Sequence, residues 1–555
     1  MILSVLGAVC GVLSGLVMAL FYILIYLPLE PLMNGGIDDF ESLPVEVRVA
    51  LPILACLLLA GLFSFLPKKH SKVGIPFVIE RLNYHQGSLP WRNAVVQFVS
   101  AVIALVGGLS VGKEGPTVHI GASLGAGFAQ RSKLSQYSVE TLIACGVAGG
   151  IAACFHTPLA GVLFALEVIF LEYRMRYVLP ILLSAVIATH VSRYLIGPIE
   201  VFDVGNITLS FITTDSVFAC LALVLFIVVL ACTFFQLQRH LWKLEFISVH
   251  WRYSVVAFIT VAVAIYLPQA MGSSFDSFSQ LLHGEAIGYS LLALILVKVL
   301  LSAFSLGLGI PGGMIGPTFM IGGLAGVQVA LWFDMTGSNI ALFALLGMAA
   351  MMATCFQAPL TALLAMIEMT HSSEVIAPAL FVIVLSCLVA KTLLGQESIF
   401  IERLEHMGVA SSISAFQRHL RRQKVAPVAD PIEVISHLLP IEQVKDFAGS
   451  MLDYAVFEHR GRWYLLDCRV VLNLLQTLND GPQPWLVAQA DKNCIDIMLA
   501  LDCQPLVCLE EPDSLETLLS WFQTTKNTNV LVHLPDGTYC LVRRNRLDEF
   551  LLKED

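Results

Sequence analysis

The sequence predicts an all-α polytopic membrane protein made of two repeats of broken helices, followed by a small α/β domain outside the bilayer. Three observations predict it. Of 555 residues, 57% are apolar and only 13% charged, against about 25% charged in an ordinary soluble chain. The charge is uneven: 37 of the 155 residues in 401–555 are charged, but only 37 of the first 400. Apolar stretches long enough to enter a bilayer recur to about residue 396 and then stop. The formal charge of −10 divides into −3 for residues 1–400 and −7 for the rest. This composition excludes a soluble enzyme and a disordered chain. The acidity argues against a nucleic-acid partner.

The first apolar run, Ile2–Leu27, is too long for a signal-peptide core. It has no basic stretch before it and no A-x-A site, so it is expected to stay as the first membrane helix. Further runs lie near 48–66, 94–110, 139–153, 158–172, 177–197, 216–236, 253–270, 288–306, 318–333, 340–355, 358–370 and 375–395. Several are short or cut by Gly and Pro. Such helices stop partway across the bilayer, which lipid tolerates only where their ends line a protein cavity. Arg418, Arg421, Arg422 and Lys424 follow the last run and place the C-terminal region in the cytoplasm, with weaker support from Lys68, Lys69 and Lys72. The 13 cysteines form no CxxC and read as packing residues. Asn206-Ile-Thr208 fits the glycosylation triplet, a pattern common by chance.

Direct comparison shows an internal repeat. Gly115-Pro116-Thr117-x-x-Ile120-Gly121-x-x-x-Gly125 recurs as Gly316-Pro317-Thr318-x-x-Ile321-Gly322-x-x-x-Gly326. Residues 146–167 recur as 347–368, sharing among others Cys154, Phe155, Pro158, Leu159 and Glu167 with their partners at the same offset of 201. Duplications with broken helices meet near the bilayer midplane and bind an ion or solute there. An odd number of spans per half would make the repeat inverted.

Three Gly-Pro segments interrupt the apolar chain: KVGIP (72–76), GKEGP (112–116) and GIPGGMIGP (309–317). Each places Pro where a helix can begin, because its missing N–H is unpaired there anyway. A helix that starts inside the membrane turns free N–H groups and the positive end of its dipole into the cavity, which is an anion site. The bland alternative is an ordinary interhelical turn. Glu114, just before a Gly-Pro start, is an acid at membrane depth and a functional candidate on that ground. As a carboxylate it can occupy a site built for an anion, and protonation or displacement would open the path. The alternative is a capping acid that never moves. Glu80, Glu167 and Glu368 are weaker candidates, and the last two, repeat equivalents near helix ends, read as structural. His119 reads as a packed or polar-paired histidine.

GKEGPTVHIG at 112–121, with KVGIP before it and GIPGGMIGPTF and EMT (368–370) after it, resembles the CLC family of chloride channels and proton–chloride exchangers. The resemblance covers most of residues 1–405. It implies an inverted repeat of broken and tilted helices in a homodimer, with one anion pathway per subunit. It makes Glu114 the gating glutamate and Ile315 and Gly316 the source of backbone amides for a central anion. The implied anion-binding set is Val73, Gly74, Ile75, Pro76, Gly112, Lys113, Glu114, Gly115, Pro116, Ile315, Gly316 and Phe400. Four positions depart from the family pattern. Ile315, in GMIGP, replaces the Phe of a GxFxP motif. Val73 stands where chloride-selective members carry Ser. Phe400, in Glu397-Ser-Ile-Phe400, replaces a Tyr. Val168 stands where exchangers carry an inner, proton-relaying Glu.

The expected function is therefore transport of chloride or related small anions, with no enzymatic activity and no metal. Val168 cannot relay a proton and Phe400 lacks a hydroxyl, so a passive channel with Glu114 as a pH-sensitive gate is the expectation. A proton-coupled antiporter is the alternative. The expected location is a cell membrane, the inner membrane if the source is bacterial. The expected domains are 1–405 for transport, a basic linker at 406–424, and a cytoplasmic tail at 425–555. That tail alternates short strands and helices and resembles a CBS-domain pair. Where nucleotide-binding CBS units carry a Thr/Ser-x-x-Asp ribose motif, it reads Arg543-Arg-Asn-Arg546. No cofactor is expected, and weak or absent nucleotide binding, with a mainly dimer-stabilising role.

Overall fold

The computed structural model describes residues 2–33, 39–67, 69–131, 134–171, 175–197, 214–273, 290–370, 375–409, 425, 428–441, 443, 453–470, 483–489, 492–501, 503–510, 515–525, 527–534 and 537–554. Lys68, Asn206 to Thr208, Arg418 to Lys424 and most of the 406–424 linker lie outside the described residues. The chain forms two compact units, Met1–Ser411 and Ser412–Asp555.

The first unit is helical. Its helices are α1 (Ile2–Leu29), α2 (Val45–Phe65), α3 (Ile75–Tyr84), α4 (Trp91–Val106), α5 (Glu114–Arg131), α6 (Gln136–Phe155), α7 (Pro158–Phe164), α8 (Met175–Ile196), α9 (Thr214–Trp242), α10 (Val249–Tyr266), α11 (Leu291–Gly307), α12 (Ile315–Trp332), α13 (Ser338–Phe356), α14 (Pro359–Thr370), α15 (Ile376–Leu394) and α16 (Ile399–His406). Among the described residues, nine helical stretches are long and apolar enough to cross a membrane, while α4, α11 and α14 are shorter. After α7 the chain widens into a π-helical turn, Ala165–Phe170, ending at Leu171 with φ of 55°. Each Gly-Pro segment starts a helix: Pro76, Pro116 and Pro317 all sit in the first turns of α3, α5 and α12.

The repeat extends well beyond the two matching sequence blocks. Adding 201 to Glu114–Arg131 gives the bounds of α12, Ile315–Trp332. The same shift carries α2 onto α10, α4 onto α11, α6 onto α13, α7 with its π turn onto α14, and α8 onto α15, within a few residues at each end. The packing repeats too. A Cβ on Gly121 would lie 2.1 Å from the carbonyl oxygen of Gly146, and one on Gly322 would lie 2.2 Å from that of Gly347. Lipid gives helices no hydrophobic reason to associate, so this backbone contact is what draws α5 onto α6 and α12 onto α13.

The two repeats also exchange helix caps. Glu167 accepts the N–H groups of Leu360 (3.3 Å) and Thr361 (2.8 Å) at the start of α14. Glu368 accepts those of Leu159 and Ala160, both at 2.9 Å, at the start of α7. Donors and acceptors are repeat equivalents, so the exchange defines a local two-fold axis between α7 and α14. Each carboxylate satisfies orphan amides and meets the positive end of a helix dipole.

The second unit is α/β. One sheet runs in the order β1 (Ala429–Pro431), β11 (Tyr539–Arg543), β10 (Asn529–His533), β9 (Cys508–Glu510). A second runs β2 (Glu433–Ile435), β4 (Tyr454–His459), β5 (Arg462–Asp467), β8 (Gln504–Leu506), and a third β3 (Leu438–Pro440), β7 (Lys492–Asp496), β6 (Leu486–Gln489). Among the described residues these helices accompany them: α17 (Ile497–Ala500), α18 (Leu515–Thr524) and α19 (Arg544–Glu554). Val456, Leu465 and Leu506 share one core with Leu531 and Leu541, so the first two sheets pack together. This paired arrangement is compatible with CBS-like domains. The expected helix, strand, turn and strand of its last part appear as α18, β10 and β11, although Pro512 to Ser514 and Pro535-Asp536 lie outside the described residues.

Candidate functional site

Two helix starts are pinned together at the centre of the first unit. Gly112 N–H donates to the Gly313 carbonyl at 2.7 Å, and Gly313 N–H donates back at 2.6 Å. This two-bond bridge, the pattern of an antiparallel hydrogen-bonded pair, holds the start of α5 against the start of α12. No Cβ fits at either residue. One on Gly112 would lie 2.0 Å from Glu114 Oε2, and one on Gly313 would lie 2.5 Å from the same oxygen.

Glu114 is fully buried. Its carboxylate lies in the notch between Gly112, Gly313 and Gly316, with Oε1 3.1 Å from where a Gly316 Cβ would stand. Neither oxygen makes a well-formed hydrogen bond, although the backbone N–H groups of Glu114 itself and of Gly316 face the carboxylate. The acid of one repeat thus rests on the helix start of the other, where unpaired amides and the dipole favour an anion. Beside it, the Lys113 ammonium lies over the rings of Tyr22 (5.2 Å) and Phe155 (5.7 Å), a cation–π arrangement.

The α3 start is built differently. Gly74 adopts φ of 90°, a conformation that favours glycine. Its N–H donates to His119 Nδ1 at 3.2 Å, which ties α3 to α5. Asn93 Nδ2 donates to the carbonyls of Lys69 (3.0 Å) and Lys72 (2.9 Å), and Lys72 pairs with Glu80 at 3.0 Å. Glu80 and His119 are therefore tied to this loop, His119 as the polar-paired histidine its sequence context suggested. Val73 is half-buried and carries no polar atom to offer.

Phe400 is buried on α16 and stacks on Phe356 at 5.1 Å with rings 9° apart. Val168 is buried in the π turn, next to Glu167. Glu167 accepts from Thr361 Oγ1 at 2.6 Å as well as from two amides. Ile315 lines an apolar cavity with Ile151, Phe155, Phe164 and Phe319. The structure therefore brings Gly112, Glu114, Gly115 and Gly316 into one notch, while Val73 to Pro76 and Phe400 belong to separate helix starts. The sequence reading missed Gly313. Its signal was available: Gly313 is the repeat equivalent of Gly112.

Repeated, broken helices that meet about a two-fold axis, with a buried acid on a helix start, define a multi-pass membrane protein of the ion-transporting class. Residues 53–391 match the voltage gated chloride channel family, and the chain belongs to that family. It is similar to the H(+)/Cl(−) exchange transporter ClcA of Vibrio campbellii, 26% identical over 425 residues, covering 72% of this chain and 88% of the relative. Its fold is that of a slow cyanobacterial Cl−/H+ antiporter, with TM-score 0.62 and 22% identity over 73% of this chain and 97% of the other. A eukaryotic CLC transporter matches with TM-score 0.61 and 20% identity, covering 98% of this chain and 97% of that one.

Proposed function

We propose that the protein is a proton-coupled antiporter of chloride or a related small anion, in which Glu114 alternates between carrying a proton and occupying the anion site. The observation that carries this reading is the Glu114 carboxylate, buried on the Gly316 end of α12 without a well-formed hydrogen bond. A carboxylate there is a bound anion in covalent form. Protonation removes its charge and its claim on the helix start, and a free anion takes its place. One group then links the two fluxes. The pathway is lined by Val73 to Pro76, Gly112 to Pro116, Ile315, Gly316 and Phe400. The family resemblance adds a homodimer and a cytoplasmic tail to this reading.

The passive channel expected from Val168 and Phe400 is the less supported reading. Similar proteins are named as proton–chloride exchangers or antiporters. Val168 and Phe400 bear on how a proton reaches the site from one side, not on whether Glu114 binds one. In proteoliposomes, an outward or inward chloride gradient should drive protons uphill, and Glu114→Ala should abolish proton movement while anion flux continues. A reversal potential that follows chloride alone would restore the channel.

A further inference from the structure

One buried cation takes no part in this scheme. Lys298 lies at the middle of α11, fully buried. Its Nζ donates to the carbonyls of Ala270 (3.0 Å) and Gly272 (2.7 Å). An ammonium at membrane depth is expensive, and such residues are retained for a function. What it holds leads back to Glu114. The Gly272 N–H donates to the Gly108 carbonyl at 3.0 Å. One turn further along the same face of α11, Ser302 Oγ pairs with Ser110 Oγ at 2.8 Å, both residues fully buried. Gly108 and Ser110 belong to the non-helical stretch between α4 and α5 that delivers Glu114. That stretch is therefore fastened at three successive points: Gly108 through Lys298, Ser110 through Ser302, and Gly112 through Gly313.

We propose that Lys298 and Ser302 are positioning residues that hold the Gly108–Gly112 lead-in so that the Glu114 carboxylate stays on the start of α12. A stretch with no helix of its own keeps its shape only through such bonds. When they are cut, the carboxylate occupies the notch for less of the time and competes less well with a free anion. The proposal rests on the reading of Glu114 as that competitor.

The test is calorimetric titration of chloride into the purified full-length protein at one fixed pH. Ser302→Ala and Ser110→Ala should each tighten chloride binding about threefold, the scale of one net hydrogen bond. Lys298→Gln should do so by more, and Lys298→Arg should stay near wild type. If Lys298→Gln does not fold, the two serine variants carry the test, since each loses only a hydroxyl. In a Glu114→Gln background the effect of Ser302→Ala should vanish, because there is no charged competitor left to release. Folded serine variants with wild-type affinity would overturn the proposal. So would a Ser302→Ala effect that persists undiminished in Glu114→Gln. If Glu114→Gln alone leaves chloride affinity unchanged, the reading of Glu114 as competitor falls, and the proposal with it.

Discussion

Gly112 and Gly313 occupy equivalent places in the two repeats, and each donates its N–H to the other's carbonyl, at 2.7 and 2.6 Å. Where a residue pairs reciprocally with its own repeat equivalent, the local two-fold axis passes between the two. The bridge therefore brings the starts of α5 and α12 together at the axis itself. The backbone is symmetric there, but the chemistry is not. The repeat equivalent of Glu114 is Ile315, since 114 plus 201 is 315. One carboxylate therefore lies at two helix starts, that of α5, which carries it, and that of α12, where it rests by Gly316.

The notch leaves little room around that carboxylate. A methyl on Gly316 would stand 3.1 Å from Glu114 Oε1, where the flexible end of the side chain can yield. Gly316→Ala is expected to fold and to displace the carboxylate, altering chloride affinity in calorimetry. A methyl on Gly313 would stand 2.6 Å from the backbone nitrogen of Gly115, which cannot yield. Gly313→Ala is expected to give little folded protein by size-exclusion chromatography.

The exchanged caps should contribute to stability unequally. Glu167 is buried and accepts from two amides and a hydroxyl, whereas Glu368 is half-buried and accepts from two amides. Glu167→Gln should cost about 1–3 kcal/mol, the range for a buried charge-assisted hydrogen-bond set, and Glu368→Gln less. Thermal unfolding in detergent measures both. Equal losses would show that burial does not set the difference.

Val168→Glu adds a second carboxyl to the buried π turn, beside the helix-capping Glu167. If protons reach Glu114 past this point, the variant should raise the rate of chloride-driven proton uptake. The readout is the initial slope of proton uptake in proteoliposomes. An unchanged slope would route the protons elsewhere.

Val73 presents only apolar surface at the start of α3, so discrimination among chloride, bromide and nitrate should be weak. Val73→Ser should shift the preference toward chloride in competition flux assays. Identical competition curves would mean that this side chain does not face the ion.

For the tail, weak or absent ATP binding is expected. The Arg543 guanidinium pairs with Asp430 at 2.8 Å, and Arg546 reaches the same carboxylate at 3.5 Å. These cations, standing where a ribose-binding Asp would be sought, are thus engaged within the tail. Titration of ATP into the full-length protein with micromolar affinity would refute this.

Much of the architecture was legible in the chain because its causes are local. Apolar runs mark helices by length alone. Pro76, Pro116 and Pro317 mark helix starts because the first turn is where proline costs a helix no hydrogen bond. The offset of 201 marks the duplication because both halves keep the residues that pack backbone on backbone. Glu114 stood out because an acid in an apolar stretch is costly wherever the chain goes. The passive-channel expectation drew on two side chains, Val168 and Phe400, carried by the π turn and α16 and not by the helix starts of α5 and α12 that form the notch.

The sequence by itself determined which residues enter the membrane, where the broken helices begin, and that one acid lies at such a beginning. These follow from the free energy of single side chains and single amides in lipid. Only the tertiary structure decided what that acid meets. Glu114 rests on Gly316 because the Gly112–Gly313 bridge joins two segments 201 residues apart, and Lys298 bears on Glu114 only through Gly272 and Gly108. Such contacts depend on backbone groups common to every residue, which carry no mark in the sequence until the fold brings them together.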